Sequence, residues 1–215
     1  MVPDVLRKLG LRGAIASLVV PVLALSLGVP AAAQFQSEGY QFLEAVKDRE
    51  GNKATDMLNK PGNQLINTRD ITSGDTGLHL VIADGDILWT RFLLQRGADP
   101  NIKNKKGETP LQRAVALDFT EGVAALLGNK IKANVNVTDS TGATPLITAV
   151  IGRRVALVRL LLAGGADPDR TDNTGRSARD HLNQMSNNTL LKQEFDAADK
   201  KRTDAGTKKN YGPSF

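Results

Sequence analysis

Apolar residues along this chain fall into short bursts at helical spacing, separated by polar stretches with glycine and proline. In one segment Leu157, Leu160 and Leu161 recur at i, i+3 and i+4; Val123, Leu126 and Leu127 repeat that pattern, and Trp89, Phe92 and Leu93 repeat it again. Such spacing places one apolar stripe on a helix and predicts three packed helices. Each is preceded by a shorter apolar run, Leu111 to Leu117 or Leu146 to Ile151, in which Ala114, Ala116 and Ala149 would let neighbouring helices approach closely. Phe42 to Val46 and Ala54 to Leu58 read as another helix pair, and Ser177 to Met185 with Thr189 to Lys201 as a last one, Leu190, Leu191 and Phe195 facing inward. From Thr203 to Phe215 no apolar period remains, and disorder is expected.

The bursts are copies of one another. Thr76-Gly77-Leu78-His79-Leu80-Val81 aligns with Thr109-Pro110-Leu111-Gln112-Arg113-Ala114 and Thr144-Pro145-Leu146-Ile147-Thr148-Ala149; Ser177-Ala178-Arg179-Asp180 is a weaker echo. The spacings between the leading Thr or Ser residues are 33, 35 and 33. Gly97-Ala98-Asp99-Pro100-Asn101 and Gly165-Ala166-Asp167-Pro168-Asp169 recur in step, and Gly74, Gly107, Gly142 and Gly175 precede each copy, where a hairpin turn needs positive φ. Thr before Pro is a helix start: the hydroxyl caps free N–H groups and Pro loses no bond in the first turn. The period and the T-P-L-H-x-A wording resemble the ankyrin repeat from about Gly39 to Leu182. The resemblance implies an all-α repeat solenoid, a β-hairpin loop and two antiparallel helices per unit, over residues 34–202. About five units are expected, the terminal two acting as caps. Phe42-Leu43-Glu44-Ala45-Val46-Lys47-Asp48, Leu78-His79-Leu80-Val81, Trp89-Thr90-Arg91-Phe92-Leu93-Leu94 and Ser177-Ala178-Arg179-Asp180 are also similar to a group of exported ankyrin proteins of alphaproteobacteria.

The front of the chain differs. Arg7, Lys8 and Arg12 precede an uncharged run from Gly13 to Val29, then Pro30 and Ala31-Ala32-Ala33. This reads as a cleavable signal peptide, residues 1–33, with Gln34 as the mature start. A periplasmic location is the expectation. The alternative is a membrane anchor left uncleaved, although the run is short for a span and Pro21 interrupts it. The net charge of +5 belongs mainly to the two ends: Arg7, Lys8 and Arg12 against Asp4 at the front, and Lys200, Lys201, Arg202, Lys208 and Lys209 against Asp204 at the back. The body is close to neutral, so no nucleic-acid partner is expected.

Candidate chemistry is sparse. There is no cysteine and there are two histidines, His79 and His181, about three units apart. Units stacked about 10 Å apart keep such a pair from sharing a metal. His79 occupies the motif's His position and is expected to bond backbone across the hairpin. Asp84 and Asp86 flank Gly85 in a turn; Asp99 and Asp167 sit in the repeated loop. These read as local backbone acceptors. No P-loop, nucleophile elbow, H-E-x-x-H or dinucleotide fingerprint occurs. The expectation is a protein without enzymatic activity, cofactor or metal, which binds another protein. Its hairpin tips and the concave face of its first helices supply the candidate residues: Asp75, Asp84, Lys103, Lys105, Lys106, Glu108, Leu117, Ser140, Thr141, Ile151 and Arg176. The alternative is an adaptor for an envelope surface or anionic polymer, acting through the basic C-terminal tail.

Overall fold

The computed structural model describes residues 37–62 and 64–204. The expected signal peptide and the tail beyond Asp204 lie outside the described residues. Five helix pairs follow one another: α1 (Glu38–Lys47) with α2 (Gly51–Asn59), α3 (Gly77–Ala83) with α4 (Ile87–Gln95), α5 (Pro110–Ala116) with α6 (Thr120–Gly128), α7 (Pro145–Ile151) with α8 (Val155–Ala163), and α9 (Ala178–Asn183) with α10 (Thr189–Asp204). The first helices stack in the order α1, α3, α5, α7, α9, and α4, α6, α8 and α10 stack beside them. Each unit therefore touches its neighbours in sequence, the condition for a solenoid. The last helix continues through Thr203 and Asp204, past the expected boundary at Arg202, and Arg202 donates from its guanidinium to the Ala166 carbonyl at 2.6 Å.

The apolar stripes become one continuous core. Leu93, Leu126, Val123, Leu157 and Leu161 are fully buried, as are Ala114 and Ala149 between the first helices. Phe42 and Phe195 close the two ends of this core. One expectation fails: Leu190 is 63% exposed while Leu191 and Phe195 are buried. Adjacent helical residues lie about 100° apart, so Leu190 and Leu191 cannot share a narrow inward stripe.

The first helices begin as their sequences require. Thr109, Thr144 and Ser177 sit at the N-cap, each hydroxyl accepting from the N–H three residues on, at 3.2–3.3 Å. Pro110 and Pro145 open α5 and α7. The turn from first to second helix takes a left-handed residue, and in four units it is not glycine: Arg49, Asp118, Arg153 and Asn187 have φ of 53–61°. Each of these costs about 1 kcal/mol relative to glycine.

The hairpins between units are tight turns joined by isolated bridges such as Arg69–Thr76 and Thr171–Ser177. Asp70, Asn104, Asp139 and Asp172 head them, and each hairpin is numbered by the unit that it opens, from the second to the fifth. The Oδ1 of Asn104, for example, accepts from the N–H of Lys106 at 2.9 Å and of Glu108 at 3.0 Å. The tips are also tied to each other: Lys105 N–H donates to Ser73 O at 2.9 Å, and Asn173 N–H to Thr141 O at 3.0 Å.

His79 is fully buried and ties α3 to the next hairpin. Its Nδ1 accepts from the Thr76 N–H at 3.2 Å, and Nε2 lies 3.0 Å from the Glu108 carbonyl. A carbonyl only accepts, so Nε2 carries the proton and the ring is neutral. Burial holds its pKa below the ordinary value, opposed by the Glu108 hydrogen bond. The unfolded chain therefore binds a proton near pH 6.5 that the folded chain refuses. Stability is full above that pH and falls as pH drops below it, until the folded pKa is reached. In the next unit Gln112 holds the same position and caps Thr109 through its Oε1 at 3.0 Å. His79→Gln should keep the cap and flatten the loss of Tm between pH 7.5 and 5.5. Melting curves at both pH values test this; an unchanged slope would show that the slope arises elsewhere.

Candidate interaction face

The exposed residues of the first helices and the hairpin tips lie along one side of the array. Leu117 and Ile151, at the ends of α5 and α7, are each 53% exposed. Ala116 beside them is also exposed, as are Lys103, Lys105, Lys106, Ser140, Thr141 and Arg176 at the tips. An apolar strip with a polar and charged rim is the composition of a protein interface.

The eleven candidate residues separate into groups once their contacts are known. Asp75 and Glu108 are largely withdrawn from solvent by Arg113. The guanidinium donates to both Asp75 oxygens at 3.0 and 3.1 Å and twice to Glu108 Oε2 at 2.8 and 3.0 Å. Asn104 Nδ2 adds a bond to Asp75 at 2.8 Å. Burial alone would raise the Asp75 pKa; the donors from Arg113 and Asn104 outweigh it and hold the carboxylate below its ordinary range. Asp84 stands apart from this cluster, clamped with Asp86 by Arg49 at 2.8 and 2.7 Å. Arg49 also lies over Trp89, 5.8 Å from the ring centroid, and Trp89 meets Phe92 edge-on. Trp89 is thus half-buried packing between the first two units, with Leu88 beside it 75% exposed.

Lys105 is anchored through its ammonium to the Ile71 carbonyl. Lys103 and Lys106 form no side-chain ion pair among the described residues. Arg176 bends back to Thr174 Oγ1 at 3.0 Å and Gln184 Oε1 at 3.4 Å. Ser140 and Thr141 are exposed at the fourth hairpin, where the Thr141 hydroxyl donates to Asp139 Oδ1 at 2.6 Å. Lys106, Glu108 and Ser140 come together: they border one groove between the third and fourth units, with Ala116 and Ala143 on its walls.

Residues that sequence reading passed over include Arg113, Arg49 and Asp139. Arg113 and Arg49 each reach acids 35 to 38 residues away, about one period. Comparing equivalent positions one repeat apart is the signal that would have found them. His181 pairs with Asp172 at 3.0 Å within the last unit. The Thr174 hydroxyl first, and His181 second, hold the Asp172 carboxylate far below its usual range. Among the described residues no three His, Asp or Glu side chains are placed to hold a metal, and no helix is long and apolar enough to cross a membrane.

Comparison with known proteins agrees with this architecture. A family profile described as ankyrin repeats in three copies matches residues 42–139 and again 78–172, more than half of the chain. A putative ankyrin repeat protein of Rickettsia felis is 34% identical over 102 residues, 45% of each chain. The probable 26S proteasome regulatory subunit p28 of Saccharomyces cerevisiae is 34% identical over 139 residues, 64% of this chain and 57% of its own. A putative ankyrin repeat protein of fowlpox virus is 35% identical over 103 residues, 46% of this chain and 30% of its own. The match covers less than two thirds of each of these relatives. Five stacked helix pairs, the threonine-capped first helices and the family match lead to one assignment: the chain belongs to the ankyrin-repeat family.

Proposed function

We propose that this protein is a scaffold that captures another protein in the bacterial periplasm, through its hairpin tips and the exposed face of its first helices. Ankyrin repeats generally mediate protein–protein interaction and are in general non-enzymatic. The observation that carries the reading is the pair Leu117 and Ile151, each 53% exposed at the C-terminal ends of the adjacent first helices α5 and α7. Apolar side chains of that size at the centre of a polar rim are where interface energy concentrates. The periplasmic placement rests on the N-terminal segment, whose basic start, apolar run and Ala31-Ala32-Ala33 have the form of a cleavable signal.

Affinity capture from periplasmic extract tests the reading. Leu117→Asp with Ile151→Asp should weaken retention of the bound protein by more than about tenfold, with circular dichroism unchanged, since neither side chain is in the core. Truncation after Asp204 leaves the Arg202 bond to Ala166 intact and removes Lys208 and Lys209. It should leave retention unchanged. The opposite pattern, with the face variant harmless and the truncation abolishing retention at low salt, would replace the scaffold by an adaptor working through its basic tail. The mass of the same purified protein should correspond to a chain beginning at Gln34.

A further inference from the structure

The hairpin tips are tied in pairs, and one gap is left open. Backbone bonds join the second tip to the third (Lys105 N–H to Ser73 O) and the fourth to the fifth (Asn173 N–H to Thr141 O). Between the third and fourth tips the equivalent bond, from Ser140 N–H to Lys106 O, does not form among the described residues. The glycines show the same alternation. A Cβ on Gly74 would meet Lys105 N at 2.8 Å and one on Gly142 would meet Asn173 N at 2.6 Å, while one on Gly107 would meet nothing within 4 Å.

The side chains widen this gap. Four residues after the N-cap, the first helices carry Leu80, Arg113, Thr148 and His181. Arg113 reaches the acids beside its own hairpin and the preceding one; His181 Nε2 reaches Asp172. Thr148 is too short to do either, and its hydroxyl turns back to Thr144 O at 3.3 Å. What remains is a cavity of about 310 Å³ with Val115, Ala143 and Pro145 as apolar walls and Glu108, Asp139 and Lys106 at its edge. Asp139 Oδ1 is used by its turn. Asp139 Oδ2 and Glu108 Oε1 accept no hydrogen bond among the described residues, and Lys106 pairs with neither acid. Arg113 balances only one of Asp75 and Glu108, and Arg154, bonded to the Val115 and Ala116 carbonyls at the groove wall, faces Asp118 at 3.9 Å, so Asp139 and the surplus carboxylate outweigh Lys106.

We infer that this groove receives an arginine side chain of the bound protein, supplied in trans where the third and fifth units use a basic side chain of their own. The stem of an arginine lies along the apolar walls while its fork meets two carboxylates. The inference rests on the reading of this face as a protein-binding surface and names the chemistry it recognises.

The test is a nuclear magnetic resonance titration of the purified protein with Nα-acetyl-arginine amide, against Nα-acetyl-citrulline amide as the neutral isostere. Saturable shifts are expected at the Asp139, Ala143 and Thr148 amides, with the citrulline compound weaker by at least about threefold. Asp139→Asn should weaken arginine by a similar factor yet keep the turn, because Asn104 heads the preceding hairpin in the same way. Thr148→Arg fills the groove from within and should abolish the shifts. Equal shifts with citrulline, shifts confined to other surfaces, or shifts that survive Thr148→Arg would overturn the inference. The scaffold reading fails separately. Partner capture kept by Thr148→Arg but lost with Leu117→Asp and Ile151→Asp defeats only the arginine groove, whereas capture indifferent to all three substitutions defeats both.

Discussion

Gly142→Val is expected to cost about 3–5 kcal/mol, the sum of a backbone penalty and a steric one. Gly142 has φ +79°, a region that a β-branched residue resists. Its neighbour is also too close. An ideal Cβ would lie 2.6 Å from the Asn173 backbone nitrogen and against the Asn173 amide oxygen. That nitrogen donates to Thr141 O at 3.0 Å, so any side chain at 142 separates the fourth and fifth hairpins. Gly107 gives an internal control: its φ is +76°, but a Cβ there would meet nothing within 4 Å. Gly107→Ala should therefore cost only the left-handed penalty, about 1–2 kcal/mol, and Gly142→Ala clearly more. Urea denaturation of the three variants distinguishes these terms. Equal costs for the two alanines would mean that contact between hairpins does not set the spacing.

The fold was legible because its punctuation is local. Thr before Pro, Gly in each turn and a period near 33 depend on backbone chemistry that one residue type satisfies best, so they can be read without knowing what lies nearby. The left-handed turns at Arg49, Asp118, Arg153 and Asn187 were not legible for the same reason. Side chains tolerate that conformation at modest cost, and only glycine advertises it. The last helix runs to Asp204, a little past its expected end near Lys201, because the Arg202 guanidinium is bonded to Ala166 of the preceding unit and holds the final turn in place, a contact that the local sequence does not show.

The candidate face was legible only as a list of exposed positions. Leu117 and Ile151 could be placed because the repeat assigns their slots to neither core nor turn, and both are exposed. Asp75 and Glu108 looked equally free, since a sequence shows charge but not its partner. Arg113 lies 38 residues from Asp75, and the pair is visible only when one unit is laid on the next. The groove was hidden for a related reason: it arises from what Thr148 and Ala143 lack, compared with their equivalents Arg113 and Glu108.

Arg113→Ala should destabilise the protein by about 2–3 kcal/mol at pH 7, and by less in mild acid. Breaking a fully buried pair costs about 3–5 kcal/mol because one charge is left without a partner. Here the Arg113 and Asp75 side chains are each 14% exposed and Glu108 is 29% exposed, so water relieves part of that cost. The dependence on pH identifies the cause. In the intact protein the donors hold the Asp75 pKa below its unfolded value near 3.9, so its contribution is complete above that value and is lost only as pH falls through the folded pKa. Without Arg113, burial dominates and moves the Asp75 pKa upward. The folded variant then takes up a proton more readily than the unfolded chain, and it regains stability as pH drops from 7 toward 5. The gap between wild type and variant should narrow over that range, as measured by urea denaturation at each pH. A gap that stays constant would mean that solvent already neutralises these carboxylates. A second variant separates charge from packing. Arg113→Met combined with Asp75→Asn and Glu108→Gln removes every charge while keeping comparable bulk, and Asn at 75 can still accept from Asn104. It should recover at least about half of the loss, because the cost lies in stranding the acids and not in losing the ion pair itself.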